Sequence, residues 1–369
     1  MHEVIIVGGG LAGLVNAIVL AQAGIDTLLI EKYEYPFHRV CGEYISNETL
    51  PFLGQLGFDP FAHGAVAIRQ LQITSPAGRP LEQPLASGGF GLSRFAMDLA
   101  LYQLAQAQGA KFRLKTSVLG IEPVRNGWDV KLADGSLLTA KVVISAHGKR
   151  ANLDQNRAFF GQRSPYIGVK YHIRTDLHPD DLIALHNFQD GYCGISRVED
   201  GVYCMCYLAK RDLLRQHGTI PQMEKMVLGQ NPYLKKLWAN SEFVFQAPKV
   251  INEISFAPKP LLENGVFMCG DSAGMIAPLC GNGMAMAIHS AALLSGLLVR
   301  HLRGPLTRPA LEQEYTKQWR GHFAARLQAG RTIQRFFGNA HLTEWLLCTA
   351  ATVPPLTRWL IGLTHGKPF

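Results

Sequence analysis

The stretch "VIIVGGGLAGLVNAIVLAQAGIDTLLIEK", residues 4–32, decides the fold. Val4, Ile5, Ile6 and Val7 are a short β-branched run, the mark of a parallel strand buried on both faces. Leu11, Leu14, Ile18 and Ala21 then recur at helical spacing up to Gly24, a residue suited to stopping a helix. Between them stand Gly8, Gly10 and Gly13 in GxGxxG spacing. The first glycine permits the tight turn, the second lets backbone approach a pyrophosphate, and the third allows helix to pack on strand. The helix N-terminus supplies N–H donors for phosphates. A second strand from Thr27 ends at Glu31, where a carboxylate accepts from ribose hydroxyls. This is a dinucleotide site, and nothing in it separates NAD from FAD.

The separation comes from the far end of the chain. "GVFMCGDSAGMIAPLCGNGMAMAIHSAALLSGLLV", residues 265–299, reads as a strand, Gly270-Asp271, an irregular loop and a long helix from near Gly283. A carboxylate at a strand end, before a glycine-rich turn and a helix, suits a ribityl chain with the helix N-terminus facing an electron-rich ring edge. NAD has no ribityl chain, so FAD is the expected cofactor.

Between these ends, residues 66–85 read as two strands around "SPAGRP", and residues 92–109 as a helix with Arg94 in its first turn. Asp134-Gly135, Asp190-Gly191 and Asp200-Gly201 mark hairpin turns, the last two bracketing "YCGISRV" and leading into "VYCMCYLA". The expected fold is α/β: a Rossmann-like FAD-binding body, an inserted antiparallel substrate-binding sheet and a helical C-terminal region. The body takes residues 1–60, 86–160 and 258–300, the sheet domain 61–85 and 161–257, and the helical region 301–369.

Composition excludes several other classes. The 369 residues, 47% hydrophobic, are enough for a large core. The seven cysteines are odd in number and show no CxxC pair, which suits neither a disulfide framework nor a zinc site, and no metal is expected. There is one GxGxxG, so a two-nucleotide disulfide-reductase plan does not fit. From Arg300 onward ten Lys/Arg stand against three Glu, a basic region without a nucleic-acid-binding signature. It fits a carrier protein or anionic headgroups, or is simply a solvated face. Residues 342–363 hold two apolar stretches split by Pro354-Pro355, which read as a docked helix, a tunnel cap or a membrane-touching element. No transmembrane helix and no signal peptide are expected, which points to the cytoplasm, at most peripheral to a membrane.

With these motifs in place, the sequence resembles FAD-dependent oxidoreductases of the p-hydroxybenzoate hydroxylase fold, and within them the geranylgeranyl-reductase-like flavoproteins. The resemblance implies that Gly8, Gly10, Leu11, Ala12, Gly13, Glu31 and Lys32 form the ADP site, with Arg94 near the pyrophosphate and Arg39 and Val118 beside it. It implies Gly270 and Asp271 at the ribityl chain, and Pro278, Gly281, Asn282, Gly283 and Met284 around the flavin. "PFHRVCGEYIS" resembles the reductases' segment with a Cys-Gly pair beside the flavin, making Cys41 a candidate to touch or tune it; a small residue in a tight buried turn is the alternative.

Three departures stand out. His147-Gly148 occupies the place of the hydroxylases' Asp-Gly pair, which puts the usual NADPH handling in question. The prenyl reductases' aromatic motif ending in Phe-Pro is replaced by "GYCGISRV", and no Trp-x-Trp of the halogenases occurs. On the substrate strands Tyr192, Gly194 and Ser196 share one face, and Tyr203, Met205 and Tyr207 share one, suiting an apolar pocket wall or ordinary sheet packing. Tyr192, Tyr203 and His289 are the candidate general acids. The expected function is FAD-dependent oxidation–reduction on a hydrophobic small molecule or carrier-bound chain, with NAD(P)H as a possible transient electron donor. C=C reduction, oxygen-dependent hydroxylation or epoxidation, and electron relay to a partner all remain open.

Overall fold

The computed structural model describes residues 1–149, 152–154, 157, 165–252, 254, 256–337, 343–344, 362 and 366–369. The apolar stretches of 342–363 therefore lie almost wholly outside the described residues.

The opening stretch folds as its residue types require. His2–Val7 is the strand, Leu11–Gln22 the helix and Thr27–Ile30 the second strand. Val4, Ile5 and Ile6 are fully buried, as a strand covered on both faces demands. His2–Val7 lies between Thr27–Ile30 and Leu137–Ser145, parallel to both. Val266–Met268 adds to the outer side of Leu137–Ser145, again parallel. The strand preceding the dinucleotide motif and the strand preceding Gly270-Asp271 thus lie in one eight-stranded sheet, and their C-terminal ends open on the same side.

The second sheet has nine strands. It is antiparallel except where Leu182–Phe188 runs parallel to Val66–Thr74, so it is mixed rather than purely antiparallel. Two pieces expected in the FAD body also belong to it. Tyr44–Ser46 pairs with the strand Pro80–Gly91, which itself runs on past residue 86. Asp190 and Asp200 take left-handed backbone (φ 59° and 57°) at the two turns, as their hairpin positions imply. Three short helices, Arg211–His217, Ile220–Met226 and Pro232–Asn240, help cover one face of this sheet.

Helix Gly283–Leu302 is long and apolar enough, by length and composition, to cross a membrane, a property the sequence reading did not assign. Here it is a core helix: Met284, Ile288, Leu294 and Leu298 are buried in the main hydrophobic cluster, against the Leu11–Gln22 and Arg308–Phe337 helices.

Candidate active site

Two helix N-termini open on one cavity of about 1790 Å³. The Leu11–Gln22 helix starts after Gly10, which has no side chain to satisfy the first-turn N–H groups. The Gly283–Leu302 helix starts after Asn282, which makes no side-chain cap hydrogen bond. Gly8, Gly10, Leu11 and Ala12 line the cavity at the first, and Pro278, Gly281, Gly283 and Met284 at the second. Gly13 and Asn282 stand behind the lining. A Cβ on Gly13 would lie 1.9 Å from the Gly8 carbonyl oxygen, which accounts for the third glycine as a packing requirement.

Glu31 closes one end of the cavity, with Lys32 and Val118 beside it. Its Oε2 accepts from the Gly9 N–H at 2.8 Å and from Arg39 at 3.2 Å, and its Oε1 accepts only a longer bond from the Tyr33 N–H at 3.2 Å. Oε1 thus keeps capacity for ribose hydroxyls. Arg39 and Arg94 both line the cavity and are gripped by one carboxylate that sequence reasoning missed. Asp98 is fully buried, takes two bonds of 2.7 Å from Arg94 and one of 3.0 Å from Arg39. The i, i+4 spacing of Arg94 and Asp98 was the available signal. Burial acts against the Arg94 charge, but Asp98 more than compensates and keeps the guanidinium charged.

The turns at Gly148 and Asp271 are joined side by side. Ser272 Oγ accepts from the Gly148 N–H at 2.9 Å, and Arg157 donates to the Ser272 carbonyl at 3.1 Å. Lys259 donates to the carbonyls of Lys149 (2.9 Å) and Asp271 (2.7 Å). Burial pushes Lys259 down to about 8. His147, in the place of the expected carboxylate, lies between Ser145 Oγ (2.6 Å) and Asp154 (3.0 Å), and Asp154 also holds Arg157 at 2.7 Å. A carboxylate therefore backs His147, supplied from seven residues further along the chain.

Cys41 lines the cavity from a turn at the edge of the second sheet, and Gly270 and Asp271 line it from the first. Tyr192, Gly194 and Ser196 line it as well. The register corrects most of the second expected set: Tyr192 pairs with Leu208 and Gly194 with Cys206, so Tyr203, Met205 and Tyr207 alternate to the opposite face, in the cluster under the short helices, and of the three Tyr207 still borders the cavity. Tyr203 donates to the His178 carbonyl (2.8 Å) and to Asp180 (2.7 Å), and is not a cavity residue. His289 is likewise outside the lining. It stacks on Phe369 with 3.8 Å between ring centroids, and burial pushes it down to about 3, so it is neutral. His38 lines the cavity between Phe95 and Phe245; burial, then Lys170, lower it to about 4. It carries no charge for a phosphate at neutral pH.

These residues fit FAD. Two uncapped helix N-termini and two arginines answer a diphosphate and an electron-rich ring, and Glu31 answers the ribose. Gly42 and Gly148 line the cavity with no protein atom within 4 Å of where a Cβ would stand, so their absent side chains leave a cradle clear. The volume also exceeds the roughly 300–1,000 Å³ of an ordinary small-ligand pocket.

Two outcomes test this electrostatic construction. Asp98→Asn leaves two cations without their shared carboxylate; it is expected to cost about 3–5 kcal/mol in urea unfolding and to weaken FAD binding in titration. Glu43, buried under the Cys41 turn, is raised by burial, but Lys170 and His172 win and hold it below its ordinary 4.5. A depressed carboxyl contributes stability above 4.5 that is lost as pH falls below it. Glu43→Gln should therefore flatten the fall in urea midpoint between pH 5 and pH 3 that the wild type shows.

Residues 1–163 match the family described as FAD binding domain. The chain is 23% identical over 332 residues to a digeranylgeranylglycerophospholipid reductase of Methanocaldococcus jannaschii, covering 87% of this chain and 82% of the relative. It is 25% identical over 398 residues to the FAD-dependent monooxygenase janM of Penicillium janthinellum, covering 94% and 78%. The solved structure of the flavin-dependent brominase Bmp2 superposes with a TM-score of 0.79 at 18% identity, covering 98% of this chain and 93% of that one, a likeness of fold alone. The dinucleotide cradle, the match of residues 1–163 and the shared fold lead to one conclusion: the chain is an FAD-dependent oxidoreductase, similar in sequence to a digeranylgeranylglycerophospholipid reductase and in fold to a flavin-dependent brominase.

Proposed function

We propose that this enzyme reduces a carbon–carbon double bond in a long, largely apolar substrate. The observation that carries this reading is the continuity of the cavity: beyond the dinucleotide cradle it runs between sheet residues Leu71, Ile73, Leu85 and Leu185 and helix residues Ala329 and Ile333. These walls offer area without directed polar contacts, which suits a chain recognised by length and shape. FAD, when bound, supplies the two-electron chemistry.

The protein's own part is to exclude water, align the chain and deliver a proton. Tyr192 fits the last role. It lines the cavity, its hydroxyl has no hydrogen-bond partner among the described residues, and burial raises it well above its ordinary value, keeping the phenol protonated. The proton goes to one carbon of the double bond and a hydride equivalent to the other. NADH or NADPH would act as a transient electron donor, with His147 where the hydroxylase pattern has a carboxylate. The similarity to the reductase of Methanocaldococcus jannaschii supports the reading.

The similarity to janM favours a second reading, transfer of one oxygen atom from O₂ to the same apolar substrate while the other leaves as water, with two electrons from the nicotinamide donor and two protons. Carrier or membrane delivery through the basic C-terminal region also belongs to the proposal. Among its described residues, Arg300, Arg303, Arg308 and Arg326 are paired with Glu314, Glu3, Glu312 and Glu48, while Lys317, Arg320 and Lys367 are exposed. We place the enzyme in a reducing cytoplasm, a reading supported by the six cysteines among the described residues, all of them free.

The test is anaerobic. Dithionite-reduced protein mixed without O₂ with short polyprenyl alcohols and diphosphates should be reoxidised and give a product heavier by two hydrogens. Tyr192→Phe should slow that step by about 10²–10⁴-fold while leaving FAD binding unchanged. Reoxidation only when O₂ is admitted, with a product heavier by one oxygen, would establish the second reading instead.

A further inference from the structure

Beneath the turn that carries Cys41 lies a buried ionic cluster of which Glu43 reaches the cavity lining while Lys170 and His172 stand behind it. Glu43 is fully buried and has φ 57°, in the left-handed region that residues with a Cβ enter at a cost. Its Oε1 accepts from Lys170 Nζ at 2.5 Å and from the Arg94 N–H at 2.7 Å. Its Oε2 accepts from His172 Nε2 at 2.7 Å. Lys170, also fully buried, donates to the Arg39 carbonyl at 3.2 Å. Cys204 Sγ donates to the Cys41 carbonyl at 3.2 Å, and Ser196 Oγ to the Gly42 carbonyl at 3.3 Å.

The register explains how these donors converge. His172 pairs with Cys204, and Cys204 with Ser196, across three neighbouring strands, so all three point to the same face of the second sheet. Lys170 lies two residues along from His172 on that face. The segment from Arg39 to Glu43 is thus held by side chains from three strands and by the first N–H of the Arg94–Ala107 helix. Glu43, His172 and Cys204 have the ligand types of a metal site, with ligand atoms within 4.8 Å of one another. The Lys170 ammonium already occupies the carboxylate, however, and a metal ion would be set against it.

A buried ion pair is a poor way to gain stability, because well-packed apolar residues of similar volume do as well or better. What such a cluster does supply is direction. Each partner has a fixed reach and angle, so the turn has one position that satisfies all of them.

We propose that Glu43, Lys170 and His172 are positioning residues whose ionic cluster sets the height and orientation of the Cys41–Gly42 turn against the cavity, and hence what Cys41 presents to a bound dinucleotide. This holds whichever of the two reactions the enzyme performs. Sheet and helix are clamped to the turn through one carboxylate, so a displacement of either reaches Cys41.

The experiment compares wild type, the double variant Glu43→Gln/Lys170→Met and His172→Gln, each in excess FAD. The double variant removes both charges at nearly constant volume, and the glutamine of His172→Gln still offers a donor. Two readouts are followed: the rate of Cys41 alkylation by iodoacetamide, measured on the Cys41 peptide by mass spectrometry, and the visible circular dichroism of bound FAD. The double variant should keep wild-type far-ultraviolet dichroism while Cys41 alkylation changes by about threefold or more and the visible bands shift. His172→Gln should show the same changes, smaller. A folded double variant with wild-type alkylation and superimposable visible bands overturns the proposal. So does a double variant that fails to fold while His172→Gln is folded and wild-type in both readouts.

Discussion

The site depends on fastening two turns that lie more than 120 residues apart in the chain. Ser272 bonds to the Gly148 backbone, Arg157 to the Ser272 carbonyl, and Lys259 to the carbonyls on both sides. Parallel pairing of Val266–Met268 with Leu137–Ser145 aligns the strands, but strand pairing alone leaves the following loops free to diverge. The side-chain bonds hold Asp271 and the Gly281–Gly283 loop over the same cavity as Gly8–Ala12. Without that register, each motif would be half of a cofactor site.

Charge is handled in a consistent way around this cavity. Three carboxylates, Asp98, Glu43 and Asp154, are fully buried, and each is answered by at least one cation placed at or near the lining. Asp98 sets two arginines, Glu43 sets a lysine and a histidine, and Asp154 sets His147 and Arg157. None of the three carboxylates is itself a lining residue apart from Glu43. Asp98 and Asp154 stand behind the lining and set the cations that face the cavity, while the lining carboxylates Glu31 and Asp271 are placed for hydroxyl groups rather than phosphate.

What was legible in the sequence was local chemistry. Gly8, Gly270 and the hairpin turns at Gly135, Asp190 and Asp200 take positive-φ backbone that few other residues tolerate, Gly13 meets a packing requirement, and Glu31 follows directly on a strand end. What was not legible was pairing at a distance. Which tyrosine faces the cavity depends on the register between Gly191–Arg197 and Tyr203–Lys210, and neither strand alone encodes it. The bond between Lys170 and Glu43 spans 127 positions, and a lysine inside "YIGVKYHIR" gives no sign of being fully buried until its partner is known. His289, a candidate general acid by residue type, lies on the long helix whose phase turns it to the Phe369 side.

The identity of the nucleotide that the purified protein holds tests whether the two ends of the chain build one FAD site. Denaturation should release FAD at about one equivalent per chain, with no FMN or NAD, and Asp271→Ala should release far less while keeping wild-type far-ultraviolet circular dichroism. A wild-type protein that stays colourless after incubation with excess FAD, or an Asp271→Ala variant that retains FAD as tightly as the wild type, would contradict the account of a cofactor site assembled from the two ends of the chain.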